Sequence, residues 1–151
     1  MDIRPGNPTD PRVLALLRDH LVNMRRNSPP ASVHALTPEA LSSPDITFWC
    51  CWSDGVLAGC GALKELNNHH GEIKSMITSR HCLRQGVASK MLRHMITEAT
   101  ALGYRRLSLE TGSGKTFMPA QSLYSKHGFR YCGPFAQYVD DGFAVFMTRE
   151  L

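Results

Sequence analysis

The stretch LRQGVASKMLRHM, residues 83–95, brings an arginine and a glutamine up to one glycine and then opens an apolar stripe. A helix start leaves about four backbone N–H groups without intrahelical partners, and its dipole favours negative charge there. A glycine between a strand and such a helix lets a phosphate approach the backbone closely. Here residues 72–78 read as the strand, Ser79–Gln85 as the loop and Gly86 as the helix opening, with Arg80, Arg84, Lys90 and Arg93 near enough to add positive charge. Two readings stay open on this segment alone. It is a socket for a phosphorylated ligand, or a surface connection whose basic residues are only solvated. A nucleoside-triphosphate loop is not expected, because GSGKT at 112–116 has Leu109 where G-x-x-x-x-G-K-T needs its first glycine. No metal site is expected either. His81 and Cys82 adjoin, but no second ligand pair stands at a suitable spacing.

The elements that must position this loop can be read from periodicity. Asp2–Arg4 is a short strand ended by Pro5 and Gly6. Residues 12–24 place Val13, Leu16, Leu17, His20, Leu21 and Met24 at helical spacing, with Asp10 as N-cap and Pro11 in the first turn. Thr37 caps a short helix through about Leu41. ITFWCCW (46–52) and VLAGCGALKEL (56–66) flank an Asp-Gly turn and predict a hairpin. Val87, Ala88, Met91, Leu92, Met95, Ile96, Ala99 and Leu102 trace one face of a long helix that Gly103 ends. A strand at 105–111, a helix from Pro119 to His127 closed by Gly128, and two strands in FRYCG and FAVFMT complete the order β-α-α-β-β-β-α-β-α-β-β. This is a mixed α/β pattern without repeats, and residues 1–151 are expected to form a single domain.

Bulk composition narrows the function classes. Hydrophobic content of 42% and charged content of 20% are ordinary for a globular protein. No apolar run approaches the roughly 20 residues that span a bilayer, so no membrane partner is expected. The N-terminus lacks a basic segment followed by a long apolar one, and the five cysteines are odd in number with no C-x-x-C. Reduced, mostly buried thiols in a cytoplasmic protein are the expectation. A net charge of +4 suits an anionic ligand, while the arginines gather at the loop and at Arg25–Arg26 rather than in a stripe with exposed aromatics. Nucleic acid is therefore not an expected partner.

The strand EIKSMIT, then LRQGVA, the long helix, the strand LSLET and the segment AQSLYSKHGF (120–129) together resemble the GNAT superfamily of N-acetyltransferases. LRQGVA is similar to that family's Q/R-x-x-G-x-G/A acetyl-CoA loop, and residues 120–129 to its A-x-x-L-Y-x-x-x-G-F. The resemblance covers at least residues 46–148. Two positions depart from it: Leu83 stands where the family has Gln or Arg, and Phe117 where many members have Asn. Backbone amides do most of the phosphate binding in such a loop, so Arg84 can replace the lost charge and Phe117 can pack against the cofactor.

The resemblance implies an α/β fold with a mixed, mostly antiparallel central sheet, flanked by helices and splayed between the fourth and fifth strands. It implies an acetyl-CoA-dependent N-acetyltransferase acting on a primary amine of a small molecule or amino-acid derivative, by direct attack in a ternary complex. The alternatives are a protein lysine or N-terminal acetyltransferase, and a non-catalytic acyl-CoA-binding module. Met76 and Ile77 would pair with the pantetheine arm. Backbone amides of Arg84, Gln85, Gly86, Val87, Ala88 and Ser89 would hold the pyrophosphate, with Phe117 and Ala120 at the following helix. Tyr124 would protonate the departing thiolate, and Glu72 would take the amine proton, with Glu110 as the competing carboxylate. Acceptor walls are expected from the 25–34 loop, with Arg26, Ser32 and His34, and from the 133–142 loop, with Tyr138, Asp140 and Asp141. A homodimer is compatible with the family.

Overall fold

The computed structural model describes residues 1–151. Seven strands form one sheet in the order β1-β2-β3-β4-β5-β7-β6. They are β1 (Asp2–Pro5), β2 (Ile46–Ser53), β3 (Val56–Asn67), β4 (His70–Thr78), β5 (Arg106–Gly112), β6 (Arg130–Cys132) and β7 (Ala144–Glu150). The helices are α1 (Pro11–Asn27), α2 (Pro38–Leu41), α3 (Val87–Ala101) and α4 (Met118–Lys126). Every strand pair is antiparallel except β4–β5, whose strands run parallel with α3 as the crossover. The element order and the mostly antiparallel sheet match the sequence-based expectation.

Local chemistry accounts for the element ends. The Asp10 carboxylate accepts from the Arg12 amide at 2.9 Å, and Pro11 fills the first turn of α1. That helix continues three residues past the expected Met24, to Asn27. Asp54 and Gly55 both have positive φ, as a two-residue hairpin turn that follows the sheet twist requires.

The strand alternation sorts the sheet into two cores. Trp49, Cys51, Leu63, Ile73, Leu107, Leu109 and Met147 pack with Met91, Leu92, Met95 and Ala99 of α3 and with Tyr124 of α4. Phe48, Cys50, Cys60, Ala62 and Ile77 face the other way, against Val13 and Leu17 of α1 and Leu41 of α2. Helices therefore cover both faces. Each fully buried side chain of this kind contributes about 1.5–3 kcal/mol. Four of the five free thiols are buried in this interior, and no helix is long and apolar enough to cross a membrane.

Close approach of α3 and of β4 to β3 demands glycine in the strand. A Cβ on Gly59 would lie 2.6 Å from the Ile77 carbonyl oxygen and 2.9 Å from Val87 Cγ1. The carbonyl belongs to the neighbouring strand and cannot turn aside. Gly59→Ala is expected to lower the unfolding free energy by about 1–3 kcal/mol, read as a lower denaturant midpoint at unchanged slope. An unchanged midpoint would contradict this packing.

Candidate active site

Strands β4 and β5 are paired only over four residues of each, from His70↔Arg106 to Ile73↔Leu109. Beyond that point β4 has a neighbour only on its β3 side, and β5 only on its β7 side. A bulge helps the parting. Cys60 faces Ile77 and Ala62 faces Lys74, so Ser75 and Met76 together oppose the single Gly61, and Ser75 takes a positive φ of 52°. The expected splay between the fourth and fifth strands is present, and it opens a cleft of about 170 Å³.

The segment LRQGVA stands at the parted end of β4. Residues 80–82 make a short 3-10 turn, Arg84 has φ 61°, and Gly86 caps α3 in the left-handed conformation with φ 82°. No backbone N–H from Leu83 to Ser89 bonds to an acceptor of the chain, and no side chain caps the helix. Nothing lies within 4 Å of the position a Gly86 Cβ would take. The result is a row of free donors at a helix N-terminus with room above it, which fits a pyrophosphate. Leu83, Arg84, Gln85 and Gly86 are exposed, while Val87 is buried beneath them. Two of the four non-glycine residues with positive φ, Ser75 and Arg84, flank this region. Backbone strain costs of order 1–3 kcal/mol per residue and collects at functional sites.

At the parting itself the side chains are those of acid–base chemistry. Tyr124 comes from α4 through the α3-side core, lines the cleft and is 7% exposed. Its hydroxyl has no hydrogen-bond partner in the chain, and burial pushes its phenol up to about 12. Glu72 is 2% exposed. Its Oε2 accepts from the Tyr138 hydroxyl at 2.5 Å and from Lys74 Nζ at 3.2 Å, and Lys74 also donates to the Tyr138 oxygen at 2.8 Å. Burial first, then the bond to Glu72, raises the Tyr138 phenol far above the ordinary tyrosine range. Beside this triad, His34 Nδ1 lies 2.7 and 2.9 Å from the two carboxylate oxygens of Glu110. Burial raises the Glu110 carboxyl above its usual range, and the hydrogen bond from His34 opposes the rise.

The cleft thus brings together Glu72, Met76, Glu110, His34, Phe117, Ala120 and Tyr124 of the expected residues. Tyr138 joins them through Glu72. Ile77 turns away into the α1-side core. Phe117 is buried edge-on to Phe143, with Gly112 beneath its ring. Arg26 does not reach the cleft: it lines a neighbouring groove with Arg80 and His81, which touches the cleft only through His20. The Ser89 hydroxyl is taken by His127 at 3.0 Å, and Lys90 Nζ by the Met1 carbonyl. Asp140 accepts from the Gly142 amide within its own turn, while Asp141 accepts from the amides of Phe143 and Ala144 and from the Ser32 hydroxyl and so ties the two loops together. Glu72, which the resemblance makes the group that takes the amine proton, is an interior group already held by two donors.

Sequence reasoning missed Lys74 and His20. The signals were present: Lys74 shares a strand face with Glu72 two residues before it, and His20 lies on the buried stripe of α1 with Leu17 and Met24.

Comparison with known proteins agrees with this geometry. The Acetyltransferase (GNAT) family model matches residues 13–129. The chain is 54% identical over its full length, and over the whole of the relative, to the uncharacterized N-acetyltransferase YsnE of Bacillus subtilis (strain 168). It superposes with a TM-score of 0.80 on a candidate acyl-CoA N-acyltransferase from Klebsiella pneumoniae subsp. pneumoniae, at 26% identity over 99% of this chain and 97% of the other. A GNAT family acetyltransferase from Elizabethkingia anophelis with acetyl-CoA bound shares the fold at a TM-score of 0.69 and 18% identity, over 99% and 97% of the two chains. With a parted sheet, a free row of amides and a family match over most of its length, this chain belongs to the GNAT family of acetyltransferases and is an N-acetyltransferase-type enzyme.

Proposed function

We propose that the chain is an acetyl-CoA-dependent N-acetyltransferase that acylates a primary amine of a small molecule or amino-acid derivative by direct attack in a ternary complex. The observation that carries this reading is the two-sided cleft. Tyr124 lines it from the α3-side core, Glu72, Lys74, Glu110 and His34 line it from the other face, and the unpaired amides of Leu83–Ser89 stand at the start of α3, beyond the parted end of β4. Acetyl-CoA would lie along the parted strands with its pyrophosphate on the amides; a neighbour of the same fold is an acetyltransferase with acetyl-CoA bound. The backbone of Met76 and Ile77 would pair with the pantetheine arm, and Phe117 and Ala120 would pack beside it. The amine would enter from the α1 side, where the small cleft volume favours a compact acceptor.

Each group then has a step. The acceptor nitrogen must be neutral before its lone pair can attack the thioester carbon. Fixed donors near the carbonyl stabilise the charge that develops on oxygen. When the C–S bond breaks, Tyr124 donates its proton to the sulfur, because burial keeps the phenol protonated at working pH. Glu72, paired with Lys74 and bonded by Tyr138, fixes the polar end of the cleft. Arg26, in the adjoining groove, would meet the far end of a longer acceptor. Five unpaired thiols suit a reducing compartment such as the cytoplasm.

Titration calorimetry with acetyl-CoA, followed by CoA-release assays on an amine panel, tests the reading. Binding of acetyl-CoA with CoA release driven by amines supports it; absence of binding refutes it. Tyr124→Phe is expected to lower kcat by about 10²-fold or more while leaving acetyl-CoA affinity nearly unchanged, and equal turnover would remove Tyr124 as the acid. With its phenol pushed up to about 12, the wild-type chain should show no alkaline fall in kcat from Tyr124 at pH 10, its ordinary value. Gly86→Glu is expected to abolish acetyl-CoA binding by placing a carboxylate over the amides. Gly86→Asn, which tolerates the left-handed conformation, should keep most of it. Equal affinities in the two variants would contradict the amide socket.

A further inference from the structure

The geometry points to His34 as the general base of the transfer, positioned by Glu110, an inference that rests on the transferase reading above. The α1–α2 connection carries His34 across to β5, where its Nδ1 meets both oxygens of the Glu110 carboxylate at 2.7 and 2.9 Å. A carboxylate there calls for Nδ1 as the donating nitrogen, so the neutral ring would carry its lone pair on Nε2. Nε2 has no hydrogen-bond partner in the chain, the side chain is 37% exposed, and His34 and Glu110 both line the cleft with Tyr124. A carboxylate that fixes a neighbouring imidazole's tautomer and stabilises its protonated form is an established way to make a base.

The other carboxylate is poorly suited to the task. Glu72 is 2% exposed, and Tyr138 and Lys74 both bond to its Oε2. The charged and titratable groups around His34 come from every wall: Glu110 on β5, Glu72 and Lys74 on β4, His20 on α1, Tyr124 on α4, and the Tyr138 ring at 5.4 Å. His20 has no carboxylate partner to hold its ring, and burial lowers its tendency to take a proton.

His34 Nε2 takes one proton from the acceptor ammonium and passes it to water. The neutral amine's lone pair forms the C–N bond at the thioester carbonyl carbon, and the C–S bond breaks. Tyr124 gives its proton to the sulfur, and the second proton lost by the nitrogen restores the phenol. One ammonium and one thioester give one amide, one thiol and one released proton.

The test is CoA release from acetyl-CoA by the full chain, with two surrogate acceptors small enough for the cleft. Methylamine is cationic at neutral pH and hydroxylamine is neutral there. His34→Gln is expected to lose about 10²-fold in kcat/KM with methylamine and under about threefold with hydroxylamine, since only the first needs a base before attack. Glu110→Gln should show the same selectivity for the cationic amine at smaller size, and added imidazole should restore methylamine turnover to His34→Ala. The hydroxylamine rate, taken above the enzyme-free cleavage of acetyl-CoA by hydroxylamine, also verifies that each variant is folded. Equal losses with both amines would make His34 a structural residue and overturn the inference, and so would no loss with either. A wild-type chain that acetylates neither amine rejects the transferase reading, and the base with it.

Discussion

Everything in this molecule turns on one failure of strand pairing. Backbone N–H and C=O groups in a sheet interior are almost always paired, yet β4 and β5 part after Ile73 and Leu109. The bulge at Ser75 and Met76 opposite Gly61 bends β4 away, and the parallel pairing survives only at the closed end. Two structural facts follow from it. A cleft opens through the sheet between the two helical layers, and the crossover from β4 reaches α3 with its first amides facing outward. The α3 core, with Met91, Leu92 and Met95 almost wholly buried, holds that helix start in place.

The closed end of the cleft is unusually charged for an interior. Lys74 and Glu72, with side chains 11% and 3% exposed, sit on the central strand. Burying such a pair costs desolvation that the attraction only partly returns, and cores rarely keep one for stability alone. Tyr138 supplies the added hydrogen bonds that make the burial tolerable, and it comes from a distant loop that Ser32 and Asp141 tie to the α1–α2 connection. Thr116 and Asn27 join the start of α4 to the end of α1 at 3.1 Å. The side chains at the parting are thereby fixed before any ligand arrives, which is what an electrostatic role requires.

Much of this was legible in the residues. The Asp54-Gly55 turn, the Asp10 and Thr37 caps and the apolar stripe of α3 gave the elements, because each depends on local chemistry. The loop at LRQGVA and the tyrosine of AQSLYSKHGF were placed by motif, and both stand at the parted strands. Pairings across long separations were not legible. His34 and Glu110 are 76 residues apart and Tyr138 and Glu72 are 66 apart, so neither contact leaves a periodic trace. Glu72 was read as the group that takes the amine proton, and its burial and its two donors were not legible because strand position relative to the sheet is a tertiary property. Arg26 looked like an acceptor contact because the direction it faces depends on the extra turn of α1.

Hydrogen exchange of the backbone amides, measured with and without acetyl-CoA, addresses the central claim most directly. The unpaired amides of Leu83–Ser89 and the parted stretch of β4 from Lys74 to Thr78 should exchange fast in the free chain and slow markedly on addition of acetyl-CoA, while β1 and β2 stay unchanged. Protection confined to other segments, or none at saturating acetyl-CoA, would contradict the account of the parted sheet as the acyl-donor site.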